Sequence, residues 1–338
     1  MSQQLQRFQL AQRMNAIIMH ERCGSEVLRY ETVPMPQPTM GEVLVSVHAA
    51  TINHTDIFHR TGQFFIQKDL PHILGMDVAG EIVALGAGVS DWNVGDRVVA
   101  TYEALGRERN GAYAEYTTLP INQLHRIPDQ LNYIAAASIG LAFTTAWIAL
   151  IYNGELKEGE RVVIHAASSG VGTSALQIAR WKNARAIAIS DPDKADRLRT
   201  LGADTVFDRH SSNLVEQVMD ATDGQGVTLI LDLVGRTTLQ SSIAMLGRFG
   251  RIVCVGTLSG ELAEINVMDL IMKNGSIKGS FDIIRREDFE RILQLFANDT
   301  FQPVIDSVLS LPEARAAHER IEAKKAFGKI ILVPNIDE

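Results

Sequence analysis

Two cysteines, Cys23 and Cys254, in 338 residues exclude a disulfide framework and any zinc site built from several cysteines. Such sparse thiol usage fits a reducing, cytoplasmic setting. Basic clusters are also missing. The 32 Lys and Arg residues are outnumbered by 40 Asp and Glu, giving a net charge of −8, so nucleic acid is not an expected partner. No internal repeat or low-complexity tract is present. Residues 1–13 are Gln-rich, carry Arg7 and Arg13, and lack an apolar core of signal-peptide length. They read as a flexible tail, with the fold starting at Met14. One uncharged run, Tyr133 to Tyr152, is long enough to span a membrane. Its Ala, Ser and Thr content and the interruption at Gly140 predict two buried helices instead, and no membrane partner is expected.

What is present is a large apolar fraction, 46% of residues, enough for one large or two medium domains. The N-terminal third is β-rich, with strands predicted at Ala16–Met19, Glu42–Ala49, Val78–Leu85 and Arg97–Ala100. From about residue 136, strands (161–165, 186–190, 204–207, 228–232, 250–255, 276–280) alternate with helices (171–182, 193–201, 212–221, 236–246). That texture predicts an α/β fold with a doubly wound parallel sheet of Rossmann type. The first strand runs into Ala166-Ala167-Ser168-Ser169-Gly170-Val171-Gly172 and then a helix. A loop of small residues lets a pyrophosphate approach the backbone, and the helix N-terminus meets it with free N–H groups. A G-x-G-x-x-G pattern would need glycine at Ala167, Ser169 and Gly172, and only Gly172 is there.

In order and spacing, the marks Asn53-His54-Thr55-Asp56, Leu74-Gly75-Met76-Asp77-Val78-Ala79-Gly80-Glu81, Gly95-Asp96-Arg97-Val98, Gly111-Ala112-Tyr113-Ala114-Glu115-Tyr116, Leu201-Gly202-Ala203 and Asp232-Leu233-Val234-Gly235 accompany the small-residue loop. Together they resemble the medium-chain dehydrogenase/reductase superfamily, and within it the zinc-independent quinone oxidoreductase branch. The resemblance covers Met14 to Pro334. It implies a β-rich GroES-like catalytic domain from residues 14–135 and 285–338, a Rossmann domain from 136–284, an active-site cleft separating them, and homodimers joined through the edges of two Rossmann sheets.

Zinc enzymes of the superfamily hold catalytic metal with Cys, His and Cys. The resemblance aligns these ligands with Asn53, Met76 and about Leu141, none of which is an ordinary zinc ligand. An improvised site from His54, His59, His72 and Asp77 is the alternative to plain surface or cleft histidines, and no metal is expected. For the coenzyme, Ile189 stands where NAD sites carry an acidic residue. Ser190, Lys194, Arg209 and Lys324 match positions that contact a 2′-phosphate in NADPH-using relatives, so NADPH is expected ahead of NADH. Asp191 argues the other way, and Lys194 and Lys324 also suit a solvated surface. Ala167 to Gly172, Val234 and Val255-Gly256-Thr257 complete the expected cofactor contacts.

Catalysis without a metal needs hydrogen-bond donors at the acceptor oxygen. The resemblance points to Asn53 and Thr55 for that role and to Thr145 for the nicotinamide carboxamide; each also suits a local turn or helix packing. Tyrosines of relatives are replaced by Phe58 and Phe64, so the proton donor is open, with Tyr102, His54 and His59 as candidates, while Phe58, Phe64 and Phe65 line a pocket or belong to the core. The reading is an NADPH-dependent reductase of quinones or apolar α,β-unsaturated carbonyls. Its alternatives are alcohol/aldehyde dehydrogenation and a cofactor-binding protein with little catalysis.

Overall fold

A computed structural model describes residues 13–334 except 65, 67, 102 and 104. Most of the expected tail, together with Phe65 and Tyr102, lies outside the described residues. The chain forms two compact units, one of Met1–Leu141 with Glu290–Glu338, the other of Ala142–Phe289.

The second unit is built on a six-stranded parallel sheet. Its spatial order is Ala203–Asp208, Arg185–Ser190, Arg161–Ile164, Val227–Asp232, Leu246–Cys254, Ser276–Gly279. Strand order reverses between Arg161–Ile164 and Val227–Asp232, the switch point where such sheets bind ligands beyond their carboxyl ends. Val162, Val163, Ile164, Leu229, Ile230 and Leu231 are fully buried, as expected of strands covered on both faces. The helix Gly170–Trp181 follows the first strand. Ser169 caps it by accepting the Gly172 N–H at 3.1 Å. A Cβ on Gly172 would sit 2.5 Å from the Ala166 carbonyl oxygen, so the helix can start this close to the loop only with glycine there.

In the first unit a seven-stranded sheet runs Ile305–Ser310, Lys329–Val333, Glu42–Thr51, Asp77–Leu85, Arg97–Thr101, His125–Arg126, with Tyr116–Pro120 also paired to Glu42–Thr51. The two chain ends meet here, Ile331 opposite Thr51 and Leu332 opposite Ala50. A three-stranded sheet orders Arg29–Pro34, Arg13–Met19, His72–Ile73. A two-turn helix, His54–Thr61, leaves the end of Glu42–Thr51.

The stretch Tyr133–Asn153 is long and apolar enough to cross a membrane by length and composition, yet it is mostly buried. Its helix Tyr133–Trp147 breaks at Gly140 (φ −4°, ψ −133°). The break frees the Leu141 N–H, which donates to Asp77 Oδ1 at 2.7 Å. A Cβ on Gly140 would lie 2.2 Å from that same oxygen. Gly140→Ala is therefore expected to lower the urea unfolding midpoint by an amount worth about 1–3 kcal/mol; an unchanged midpoint contradicts this packing.

Candidate active site

Asp77 opens a buried strand, fully enclosed, and is a hub of hydrogen bonds. Its carboxylate accepts from Thr51 Oγ1 (2.5 Å), Asn53 Nδ2 (2.8 Å), Leu141 N (2.7 Å) and Thr101 Oγ1. The Lys329 ammonium lies 3.6 Å away and donates to Asn53 Oδ1 (2.6 Å) and the Ile52 carbonyl (3.0 Å). Burial lowers the Lys329 pKa, opposed by the charges of Asp77 and Asp56. Both ends of the Asn53 amide are thus engaged. Met76 is fully buried, with Thr55 Oγ1 3.3 Å from its sulfur. The three positions aligned with zinc ligands therefore carry an amide, a thioether and a main-chain N–H.

Two of the candidate histidines are core groups, and His54 is half-buried. His59 and His72 are each 1% exposed. His72 bonds the Gly106 carbonyl (3.0 Å) and Asn110 Oδ1 (3.2 Å), whereas His59 stacks on Phe64 at 4.3 Å and leaves its buried Nε2 without a partner. Phe64 is buried and Phe58 half-buried against His54. Among the described residues no group of three or more His, Cys, Asp or Glu is placed to hold a metal ion.

Behind Asn53, Asp56 closes the helix start. It accepts from the Asn53 N–H (2.8 Å) and the Gly75 N–H (3.1 Å). Burial, with the Asp77 charge, pushes its pKa up to about 7 against those bonds. Arg60 Nη1 lies 3.4 Å from His318 Nδ1, and His318 Nε2 lies 3.3 Å from the Tyr113 hydroxyl. Arginine can only donate, so His318 accepts at Nδ1, donates at Nε2, and leaves the phenol proton for Asp56.

In the second unit the structure brings Ser168, Ser190, Asp191, Lys194 and Arg209 together. Ser190 Oγ, at the end of its strand, is buried without a partner. Lys194 is 9% exposed, not surface, with Nζ 3.4 Å from Ser168 Oγ and 3.5 Å from Asp191 Oδ2. Asp191 also takes Arg209 Nε at 2.5 Å and has His210 at 3.5 Å. Burial raises the Asp191 pKa, but Arg209 and Lys194 outweigh it and hold the group ionised, below the usual range. The acid that spoke against a phosphate is thus neutralised by cations.

Ala167 is buried, its N–H on the Ile189 carbonyl at 3.1 Å. Val234 and Gly235 both donate to Asp232 Oδ1 at 2.9 Å, and Val255 N donates to the Asp232 carbonyl. A Cβ on Gly256 would meet the Leu233 carbonyl at 2.6 Å, while Thr257 is exposed. Asp232 is held in turn by Ser242 (3.2 Å), itself 3.0 Å from His165 Nε2. Thr145 is half-buried in this unit. Lys324 belongs to the other unit, exposed at φ 59°.

The sequence reading missed the hub role of Asp77 and the parts of Asp56, Tyr113, His318 and Lys329. A carboxylate beginning the run from Val78 and a lone lysine before Ile330-Ile331-Leu332-Val333 were the available signals, since buried charges need partners.

Comparison with known proteins agrees with this fold. Residues 39–129 match the family described as alcohol dehydrogenase GroES-like domain, and residues 170–298 the one described as zinc-binding dehydrogenase. The quinone oxidoreductase of Sus scrofa is 32% identical over 328 residues, 95% of this chain and 98% of its own. The crystal structure of an NAD-dependent alcohol dehydrogenase superposes with a TM-score of 0.90 at 32% identity, over 95% of this chain and 100% of that one. The quinone oxidoreductase from Coxiella burnetii gives 0.85 at 28% identity, over 96% and 100%.

Burial also sets an acid limit. It lowers the pKa of His318 to about 3 and of His59 to about 4, from 6.5 unfolded. Below pH 6.5 the unfolded chain binds protons that the native chain refuses, so stability present above that pH is lost as pH falls toward these values. His59→Phe, which keeps an aromatic ring against Phe64, is expected to flatten the stability curve between pH 6.5 and 4 by about 3 kcal/mol. A curve parallel to the unmodified protein's contradicts the assignment.

On sequence and fold together, the chain belongs to the medium-chain dehydrogenase/reductase superfamily and is quinone oxidoreductase-like within it.

Proposed function

We propose that this NAD(P)H-dependent oxidoreductase is a zinc-independent reductase of quinones and apolar α,β-unsaturated carbonyls, with NADPH as donor. The observation that carries the reading is the donor set at the positions aligned with zinc ligands, where Asn53 offers an amide and Met76 and Leu141 offer nothing a zinc ion would take in its usual coordination.

Bound NADPH supplies the hydride. The N–H groups of Gly170 and Val171 at the helix start receive the pyrophosphate beside Ala167 and Ser168, while Ser169 caps and Gly172 permits the close approach. Ser190, Lys194 and Arg209 take the 2′-phosphate, with Lys324 as a further cation. Thr145 bonds the carboxamide, and Val234, Val255, Gly256 and Thr257 line the nicotinamide end. Asn53 Nδ2 and Thr55 Oγ1 donate to the acceptor oxygen. When hydride enters the β carbon, charge moves onto that oxygen, and these donors stabilise it. Water supplies the proton, since burial disfavours the charged, proton-donating forms of His54 and His59. Such donors are weaker electrophiles than zinc, which favours conjugated acceptors over simple carbonyls. Alcohol/aldehyde interconversion is the second reading, favoured by the likeness to an NAD-dependent alcohol dehydrogenase.

A homodimer is part of the same proposal. Ser276–Gly279 is one of the two edge strands of the parallel sheet, and Leu262, Met268, Met272 and Phe281 nearby in sequence are 58–86% exposed. Free thiols at Cys23 and Cys254 suit the cytoplasm.

Protein purified without added zinc is expected to reduce an enone or quinone with a KM for NADPH at least tenfold below that for NADH, to ignore simple alcohols, and to sediment as a dimer. Arg209→Ala should raise the NADPH KM about tenfold and leave the NADH KM alone. One zinc per chain, alcohol oxidation, or a preference for NADH each contradicts a stated part.

A further inference from the structure

We propose that Lys329 is a positioning residue for the hydride acceptor: its buried ammonium holds the Asn53 carboxamide oxygen and so aims an amide hydrogen at the acceptor oxygen. The inference rests on the reading of Asn53 as a donor to substrate and extends it to the residue that makes it one.

Asparagine oxygen and nitrogen are nearly isosteric, so the neighbours decide which way the amide points. Here Oδ1 faces Lys329 Nζ at 2.6 Å and Nδ2 faces Asp77 Oδ2 at 2.8 Å. A flip would set an NH2 group against an ammonium and an oxygen against a carboxylate. One charge pair, 3.6 Å apart, therefore fixes the amide from both sides.

The count of donors gives the direction. Nδ2 carries two hydrogens, and one goes to Asp77. Asp77 is already filled, by Thr51 beside Asn53 on one oxygen and by Thr101 and Leu141 on the other. It has no lone pair for the second hydrogen, which is left for an incoming acceptor. The cation on Oδ1 also draws electron density through the amide, making that N–H a stronger donor. Lys329 thereby lends its charge to the reaction without touching substrate. The bland account is that Lys329 only ties the C-terminal strand to its neighbour and balances Asp77.

The two accounts separate in the full-length protein. Four forms are compared: unmodified, Lys329→Met, the paired Lys329→Met/Asp77→Asn that removes both charges, and Asn53→Ala. Each is measured for melting temperature, NADPH dissociation constant, kcat and KM with an enone, and the side-chain amide resonances of 15N-asparagine. Asn53→Ala identifies the Asn53 signal by its loss and is expected to lower kcat. Lys329→Met, or the pair if the single variant does not fold, is expected to lower kcat by about 10–100-fold, with NADPH affinity and KM within about threefold, and to move the Asn53 Nδ2 proton signal upfield. Unmodified kcat in the lysine variants while Asn53→Ala is impaired overturns the Lys329 inference alone. So does a kcat loss that merely follows the melting temperature with the Asn53 signal unmoved. Unimpaired Asn53→Ala overturns the donor reading and the inference with it.

Discussion

A buried charge pair, Asp77 with Lys329, constrains everything around the candidate site. Taking both ions out of water is costly, and the pair persists because each remaining lone pair and proton is used. The partners come from distant parts of the chain: the end of strand Glu42–Thr51, the start of the helix after it, strand Arg97–Thr101, the break at Gly140 and the first residue of the last strand. One carboxylate thus registers five segments of the first unit. The pairing of Ile331 with Thr51 sets the lysine at the right level. A β-rich unit assembled from both chain ends gains from such a lock, because it ties the last strand to segments far away in sequence.

The second unit solves a different electrostatic problem. Its loop ends gather the cations Lys194 and Arg209 around an acid, Asp191. Paired to Arg209 and Lys194, that acid orients the cations and no longer opposes an anion. The Ser190 hydroxyl, next to Asp191 in sequence, is buried without a partner. His165, Ser242 and Asp232 tie adjacent strand ends together, and Asp232 also holds the turn at Val234 and Gly235.

Much of the fold was legible because the parallel strands are apolar on both faces, and the helices between them keep their period. The break at Gly140 was legible too, since glycine punctuates an otherwise continuous apolar run. The strands His72–Ile73 and His125–Arg126 were not, being two residues long and made by their partners. Helix His54–Thr61 was not assigned, because two turns are too short a stretch for period to identify a helix. Of the candidate site, Ser190, Lys194 and Arg209 came from the resemblance to NADPH-using relatives, and the structure brings them into one cluster. Burial of His59, His72 and Lys194 depends on which segments fold over them, and one-dimensional pattern holds no record of that. Lys329 was invisible as a partner of Asn53 because 276 positions separate them.

Hydride destination tests the central claim, that donors of the chain itself polarise a conjugated acceptor. NADPH deuterated at the transferable C4 position, with an α,β-unsaturated ketone, places the label where hydride lands. NMR of the product is expected to show deuterium on the β carbon of a saturated ketone. Deuterium on the carbonyl carbon of an allylic alcohol would contradict the account.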